Sequence, residues 1–239
     1  MPKYLKLFEN LDSFEASEDK SLKNHLIEDI ELKEDPYRGH PYVEIGGKKW
    51  ATMNIGATEI TDNGLYFAWG ETKGYKAEQV GSGPGQKYFD YSDYELCEGS
   101  SHTMKRYFRP GDTLRPEDDA AVVNWGGVWR MPSSAECAAL QDATEFSYTN
   151  NYQGTGVSGY ILTDKTDSTK ELFFPSAGWC HSGTADTWNG GSHCWNNTLN
   201  SGNYSQYATM MYFSLWQNPH FNDFNSRAQG LTVRAIAEW

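Results

Sequence analysis

The sequence predicts a mixed α+β domain, rich in short strands and loops, and three observations carry that reading. Aromatic residues make up 15% of the 239 residues and glycine occurs 23 times, which suits short strands and tight turns better than long helices. Alternating or apolar runs recur between turn signals, from Tyr42-Val43-Glu44-Ile45 to Leu231-Thr232-Val233-Arg234-Ala235. A strong helix grammar stands out at one place in the middle of the chain, beginning at Ser133.

Residues 1–40 differ from the rest. Asp12 to Asp35 is dense in Glu, Asp and Lys, and Leu22, Leu26, Ile27 and Ile30 have helical spacing until Asp35-Pro36 stops it. This stretch reads as a separate N-terminal arm for attachment or oligomerisation, and residues 41–239 as the main domain. From Tyr42 the pattern turns strand-like, and Gly46-Gly47 between two such runs predicts a two-residue hairpin. A third strand is expected over Gly64–Glu71. Thr72–Ala120 reads as a long irregular surface region, with Gly and Pro crowded at 81–85.

Next comes DDAAVVNWGGVWRMPSSAECAALQDATEF. Trp125-Gly126-Gly127 marks a tight backbone passage, and a short extended piece ends at Arg130-Met131 before Pro132. Ser133 and Glu136 stand three apart, as in a capping box, and Ala135, Ala138, Ala139 and Leu140 follow, so a helix is predicted at about 133–144. Strands are predicted at about 158–163 and 171–175, with a turn at Thr166-Asp167-Ser168.

The segment from about 178 to 229 has a different character. It interleaves Asn, Ser and Gly with Trp, Tyr, Phe and His, carries almost no charge, and has few aliphatic residues to pack. Only Tyr207–Leu215 reads as a strand within it. Rigid aromatics among small polar residues are the composition of binding loops. Leu172–Phe174 before it and Leu231, Val233, Ala235 after it read as framework strands holding its ends.

Composition limits the function classes. A formal charge of −12, from 20 basic and 32 acidic residues, argues against a nucleic-acid partner, whose phosphates call for Lys and Arg. No apolar run approaches the length that spans a membrane, so no membrane insertion is expected. The N-terminal MPKYLKLFENLDSF lacks the apolar core and cleavage site of a secretory signal, and the expected location is cytoplasmic or virion-associated. Cys97, Cys137, Cys180 and Cys194 show no C-x-x-C spacing; free thiols are expected, with a Cys180–Cys194 disulfide only if the protein matures in an oxidising place.

In order along the chain, YVEIGGKKWATMNIGA, TDNGLYFAWGET, DAAVVNWGGVWRMPSSAE, LFFPSAG, CWNNTL and GLTVRAI resemble the motifs of the Fibrobacter succinogenes major paralogous domain. The resemblance covers roughly 42 to 237. It implies a C-type lectin-like fold and membership among the variable proteins of diversity-generating retroelements, in which a reverse transcriptase rewrites adenine positions near the 3′ end of the gene. The leader YLKLFENLDSFEASED is similar to leaders on tail proteins of intestinal bacteriophages. The implied function is receptor recognition through a hypervariable surface, on a phage tail or as a cell-surface adhesin. The implied partner is a host cell-surface protein or glycan. Homo-oligomers would form through the arm.

Adenine rewriting of an Asn codon yields His, Asp, Tyr, Ser, Phe, Cys or Ala, but not Trp, Met, Gln, Glu or Lys. Asn218–Ala228 contains none of the excluded residues. On that reading His220, Phe221, Asn222, Asp223, Phe224 and Asn225 are display positions, joined by His181, Asn189, His193, Cys194, Asn196, Asn197, Tyr204, Trp216 and Asn218. Trp195, Met211 and Trp216 are framework, or come from other codons. Cys194 stands where relatives usually have Tyr. One exposed face is expected to carry His220–Phe224 with His193, Asn196, Asn197 and Tyr204.

Other chemistries fit less of the pattern. Cys180-His181 and His193-Cys194 offer zinc-type ligands, but their spacing is not that of a finger or ribbon. Formylglycine-generating oxidases share a WRMPSSAE-like passage, with Cys180 and Cys194 as candidate thiols in a nearly uncharged setting that does not favour a thiolate. Trp195-Asn196-Asn197 and Gln217-Asn218-Pro219 faintly resemble sugar and calcium motifs of animal lectins but lack the carboxylates calcium wants. No catalytic residue, metal or cofactor is therefore expected, and Arg130 and Arg234 read as buried pairing residues of the scaffold.

Overall fold

The computed structural model describes residues 35–187, 191–202 and 205–237. By its internal contacts the chain divides into Met1–Gly39 and His40–Trp239. In the first unit the Asp35 carboxylate accepts backbone N–H bonds from Tyr37 (2.9 Å) and Gly39 (2.6 Å), closing a turn. The arm's expected helix lies outside the described residues.

Among its described residues the second unit is mostly sheet with two α-helices, compatible with the α+β class. β1 (Tyr42–Ile45) and β2 (Lys48–Ala51) pair antiparallel with Ile45 opposite Lys48, so Gly46-Gly47 is a two-residue turn. Both glycines have positive φ, +60° and +72°, the backbone such a hairpin needs and L-residues resist. β3 (Trp129–Arg130) and β13 (Ile236–Ala237) complete this sheet in the order β1-β2-β13-β3. The first and last strands of the domain are thus one strand apart, and Ala51 N–H also bonds the Ala235 carbonyl at 2.9 Å.

The helix at 133–144 is present as α2 (Ser134–Ala143). The Ser133 hydroxyl accepts from the Glu136 N–H and the Glu136 carboxylate accepts from the Ser133 N–H (2.9 Å), a complete capping box. Arg130 donates both guanidinium nitrogens to Glu136, at 2.8 and 2.6 Å. Burial alone would raise the Glu136 carboxyl; the bonds from Arg130 and Ser133 outweigh it and hold it down to about 2. A second helix, α1 (Ala120–Trp125), was not legible in the sequence. Asp119 caps it, accepting from Ala121 (2.8 Å) and Val122 (3.1 Å), and accepts from Met131 as well (3.0 Å), which ties α1 to β3.

β4 (Thr144–Thr149), β5 (Gly159–Asp164) and β6 (Glu171–Pro175) form an antiparallel meander, the last two close to where the sequence put them. Two readings are corrected. Gly64–Glu71 is not a regular strand; it makes single bridges, Tyr66 to Tyr75 and Phe67 to Leu231. The 72–120 region is irregular, but it is not merely surface: Phe89, Tyr94, Leu96, Cys97, Tyr107 and Leu114 are buried. A buried ion pair, Lys87 to Glu71 at 2.8 Å, helps hold it. Its polar residues mask an aromatic interior.

The 178–229 segment is largely strand rather than loop. β7 (Trp179–His181) and β8 (Thr184–Asp186) make a small hairpin. β9 (Ser192–Leu199), β10 (Tyr207–Phe213), β11 (His220–Ser226) and β12 (Thr232–Val233) form a sheet in the order β11-β10-β9-β12. One face of it enters the main core: Cys194, Met211, Phe213 and Phe221 cluster with Cys137 and Leu140 of α2, Tyr160, Leu162, Leu172, Phe174, Ile45, Trp50 and Ile236.

Two buried arginines lock this sheet to the scaffold. Arg234 donates to Asn54 Oδ1 (3.0 Å) and to the carbonyls of Ala51, Thr52 and Phe173, with its guanidinium 4.3 Å from the Phe174 ring. Arg227 bonds the Tyr94 hydroxyl (3.0 Å) and the carbonyls of Arg106, Tyr107 and Ser205, against the Trp69 ring at 4.9 Å. All these acceptors are neutral, so each cation is held by dipoles and rings. Arg234 is buried as expected but holds neutral acceptors, whereas Arg130 pairs with Glu136 and is half-buried.

Candidate functional site

The fifteen predicted residues divide between core and surface. Asn189 and Tyr204 lie outside the described residues. Trp216, Asn218, His220, Asn222 and Phe224 are exposed, Trp216 at 85% and Phe224 at 52%. His181, Asn197, Asp223 and Asn225 are half-buried.

Four placements are corrections: Phe221, Cys194, His193 and Asn196 are buried, so no single exposed face carries the predicted set. Phe221 packs its ring against Phe213 at 5.2 Å inside the core. The cause is a bulge. Met210 stands opposite Asp223 and Tyr212 opposite His220, so β11 carries one extra residue there, and the local alternation shifts. Cys194 enters the same core, and its sulfur accepts the Arg234 N–H at 3.1 Å. Asn196 is a structural polar residue: its Oδ1 accepts from the Thr209 hydroxyl and from Thr198 N–H (3.0 Å), and its carbonyl accepts Trp69 Nε1–H (2.8 Å). Asn197 belongs with it, bonding the Pro132 carbonyl (2.8 Å) and the Leu114 N–H (2.9 Å) through its backbone.

His193 sits inside a row of rings that crosses the sheet. Trp179 stacks on His181 (5.7 Å between centroids) and meets His193 at 4.7 Å. His193 meets Tyr212 at 4.6 Å, and Tyr212 stacks on His220 at 6.3 Å. The register explains the row, since Tyr212 is the cross-strand partner of both His193 and His220 and partners share a face. Burial lowers His193 to about 4 against a backbone bond at Gly178, so it is neutral at pH 7, and its Nδ1 has no hydrogen-bond partner. Gly191 makes room for the row: a Cβ there would lie 3.1 Å from His193 Cε1.

Sequence reasoning missed Trp179, Tyr212, Tyr207 and Leu215. Tyr207 meets Phe224 edge-on at 5.5 Å, and Leu215 is 47% exposed beside Trp216. A period-two reading of YATMMYF separates Tyr212 from its buried neighbours Met211 and Phe213 and would have found it. Trp195 and Met211 are buried framework as expected, whereas Trp216 is not framework.

The thiols do not line this surface. All four cysteines are free and buried. Burial pushes Cys180 up to about 12, and Cys194 up to about 11 against the opposing pull of Arg234. Such thiols stay protonated at neutral pH and are weak nucleophiles and metal ligands. Among the described residues no three His, Cys, Asp or Glu side chains gather in a metal-binding arrangement. An open cleft of about 550 Å³ is lined by Thr58, Asp62, Tyr66, Lys76 and Glu78, with no residue of the 178–229 segment.

No family model, curated protein or solved structure matches this chain.

Proposed function

We propose that residues 41–239 are a C-type lectin-like recognition domain, related to the variable proteins of diversity-generating retroelements, that binds a host cell-surface partner for a phage tail or adhesin. One observation carries the reading. Leu215, Trp216 and Phe224, three large apolar side chains, are exposed on a single hairpin that is anchored in the core through Met211, Phe213 and Phe221. Exposed apolar groups cost solubility, and contact with a partner is the usual compensation. The display positions are accordingly Trp216, Asn218, His220, Asn222 and Phe224, with Leu215, Tyr212 and His181. Rigid strands beneath them fix their positions, the common arrangement for recognition.

The test is attachment of the full chain to candidate host cells, with melting temperature measured in parallel. Trp216→Ala and Phe224→Ala should weaken attachment at least tenfold each, because aromatic anchors carry about 2 kcal/mol or more. Melting should hardly change. Unchanged attachment in both variants would refute the reading. Sequencing of the flanking DNA tests the retroelement: a reverse-transcriptase gene and a near-copy of the 3′ end differing at adenines are expected.

A further inference from the structure

We propose that the hairpin-loop end of β10–β11 binds a neutral saccharide, without a metal ion, by stacking on Trp216 and on the open end of the ring row at His220. This rests on the recognition reading above and names the chemistry of its ligand. Three features of the chain converge on it.

The first is open ring faces. Trp216 is 85% exposed, and its side chain makes no hydrogen bond or ring contact among the described residues. His220 stacks on Tyr212 and meets no other ring among the described residues, while being exposed on the outermost strand of its sheet. Tyr212 and His220 are cross-strand partners at the end of the hairpin that carries the 214–219 loop, so Trp216 and His220 belong to one end of the structure. Sugars present flat C–H faces that pack on aromatic rings, and rings with a polar edge serve best because hydroxyls surround the stacked face.

The second is the absence of charge. No Asp, Glu, Lys or Arg occurs between Asp186 and Asp223, a span that supplies β9, β10 and the loop after it. In a chain of net charge −12 that is a marked local exception. A charged ligand would lose its hydration here and meet no counter-charge from this span, which disfavours it. A neutral, polyhydroxylated one loses less and finds amides and imidazoles: Gln217 and Asn218 are exposed in the loop, and Asn222 and His220 on β11. The nearest carboxylate, Asp223 on β11, is half-buried and accepts the Phe224 N–H (2.8 Å), and a single carboxylate falls short of the cluster a hard cation wants.

The third is rigidity. The row behind His220 continues through Tyr212 and the buried His193 to Trp179, so the His220 side of the platform is fixed before any ligand arrives. Pre-ordered rings lose little entropy on binding, which matters for a small ligand whose gross contact energy is modest.

Affinity electrophoresis tests this with the full chain, which its own negative charge drives through a native gel. Gels would contain mannan, galactomannan or dextran as neutral probes and polygalacturonate or heparin as charged ones, each with and without EDTA. Retardation is expected in at least one neutral gel, unchanged by EDTA, with a shift in tryptophan emission on titration with the same polysaccharide. Trp216→Ala should weaken retardation at least tenfold and remove the emission shift. His220→Ala should weaken retardation about threefold or more. Phe108→Ala, which removes an exposed ring outside this hairpin, should change nothing. Retardation in none of the neutral gels, in charged gels alone, or only without EDTA overturns the proposal. The two readings fail separately. If Trp216→Ala abolishes cell attachment, protease treatment of the cells does the same, and no neutral gel retards the chain, recognition stands and the saccharide falls. If Trp216→Ala leaves both attachment and retardation intact, both fall.

Discussion

Replacing Phe221 with alanine should unfold far more of the stability than replacing Phe224, three residues away on the same strand. Phe221 is 2% exposed, sits 5.2 Å from the Phe213 ring, and shares its cluster with Met211, Cys137 and Leu140. Deleting a core phenyl ring costs about 3–5 kcal/mol in lost burial and cavity formation. A domain of this size loses about 2–4 °C of Tm per kcal/mol, so the midpoint should fall by about 6–20 °C. Phe224 is 52% exposed and touches the Tyr207 ring edge-on. Its loss should cost within about 1 kcal/mol, the range of an exposed cross-strand pair. Calorimetry or circular-dichroism melts of the two variants decide the matter. Equal shifts, or a Phe221→Ala shift of a degree or less, would show that the β11 bulge does not turn Phe221 inward as described.

Three further outcomes follow from the same geometry. The folded state keeps His193 neutral down to about pH 4, while the unfolded chain protonates it near 6.5, so the unfolded state binds more protons in between. Stability should therefore fall as pH drops from 6.5 to 4, by up to about 3 kcal/mol at about 1.4 kcal/mol per pH unit, and His193→Phe should flatten that slope. Glu136, held down to about 2, adds its own loss only below about 4.5, so a slope unchanged by His193→Phe between 4.5 and 6.5 would count against the assignment. Ser133→Ala removes one half of the capping box and should cost about 1 kcal/mol in urea titrations, with no change in attachment. A thiol-titrating disulfide reagent should react with none of the four buried cysteines in the native protein and with all four after unfolding; rapid reaction of even one in the native state would contradict their burial.

Local grammar was legible in the sequence, and long-range partnership was not. Gly46-Gly47 and the Ser133–Glu136 box are readable because the chemistry that shapes them lies within a few residues. The strands at 159–164 and 171–175 are readable because their apolar pattern is continuous. β10 was read as a strand, but its partners β9 and β11 were hidden for a physical reason: the core of this sheet is built from Cys, Met and aromatics rather than Val, Ile and Leu, and it buries polar side chains. Asn196, which looks like a surface residue, is fully buried against Thr209 and Thr198. Phe221 was misplaced because NPHFNDFN carries no sign of a bulge; that depends on which residue of β10 stands opposite. The 72–120 region misled in a similar way, since Tyr94 and Tyr107 are also bonded by Arg227, more than a hundred residues on, which local sequence does not show. At the site, Trp216, Asn218, His220, Asn222 and Phe224 of the predicted set are exposed, whereas Phe221 was misplaced and Leu215 and the ring row were missed. The row arises from cross-strand register, which composition does not encode.

The central claim is that one hairpin is free to vary for binding while the structure beneath it is not. A saturation library over residues 214–225, displayed on cells and sorted separately for protease resistance and for attachment to host cells, tests it most directly. Sorting for folding should restrict Phe221 to large apolar residues and leave Leu215, Trp216, Asn218, His220, Asn222 and Phe224 broadly tolerant. Sorting for attachment should restrict Trp216, His220 and Phe224. Folding constraint at those three positions as tight as at Phe221, or no constraint on them in the attachment sort, would contradict the account.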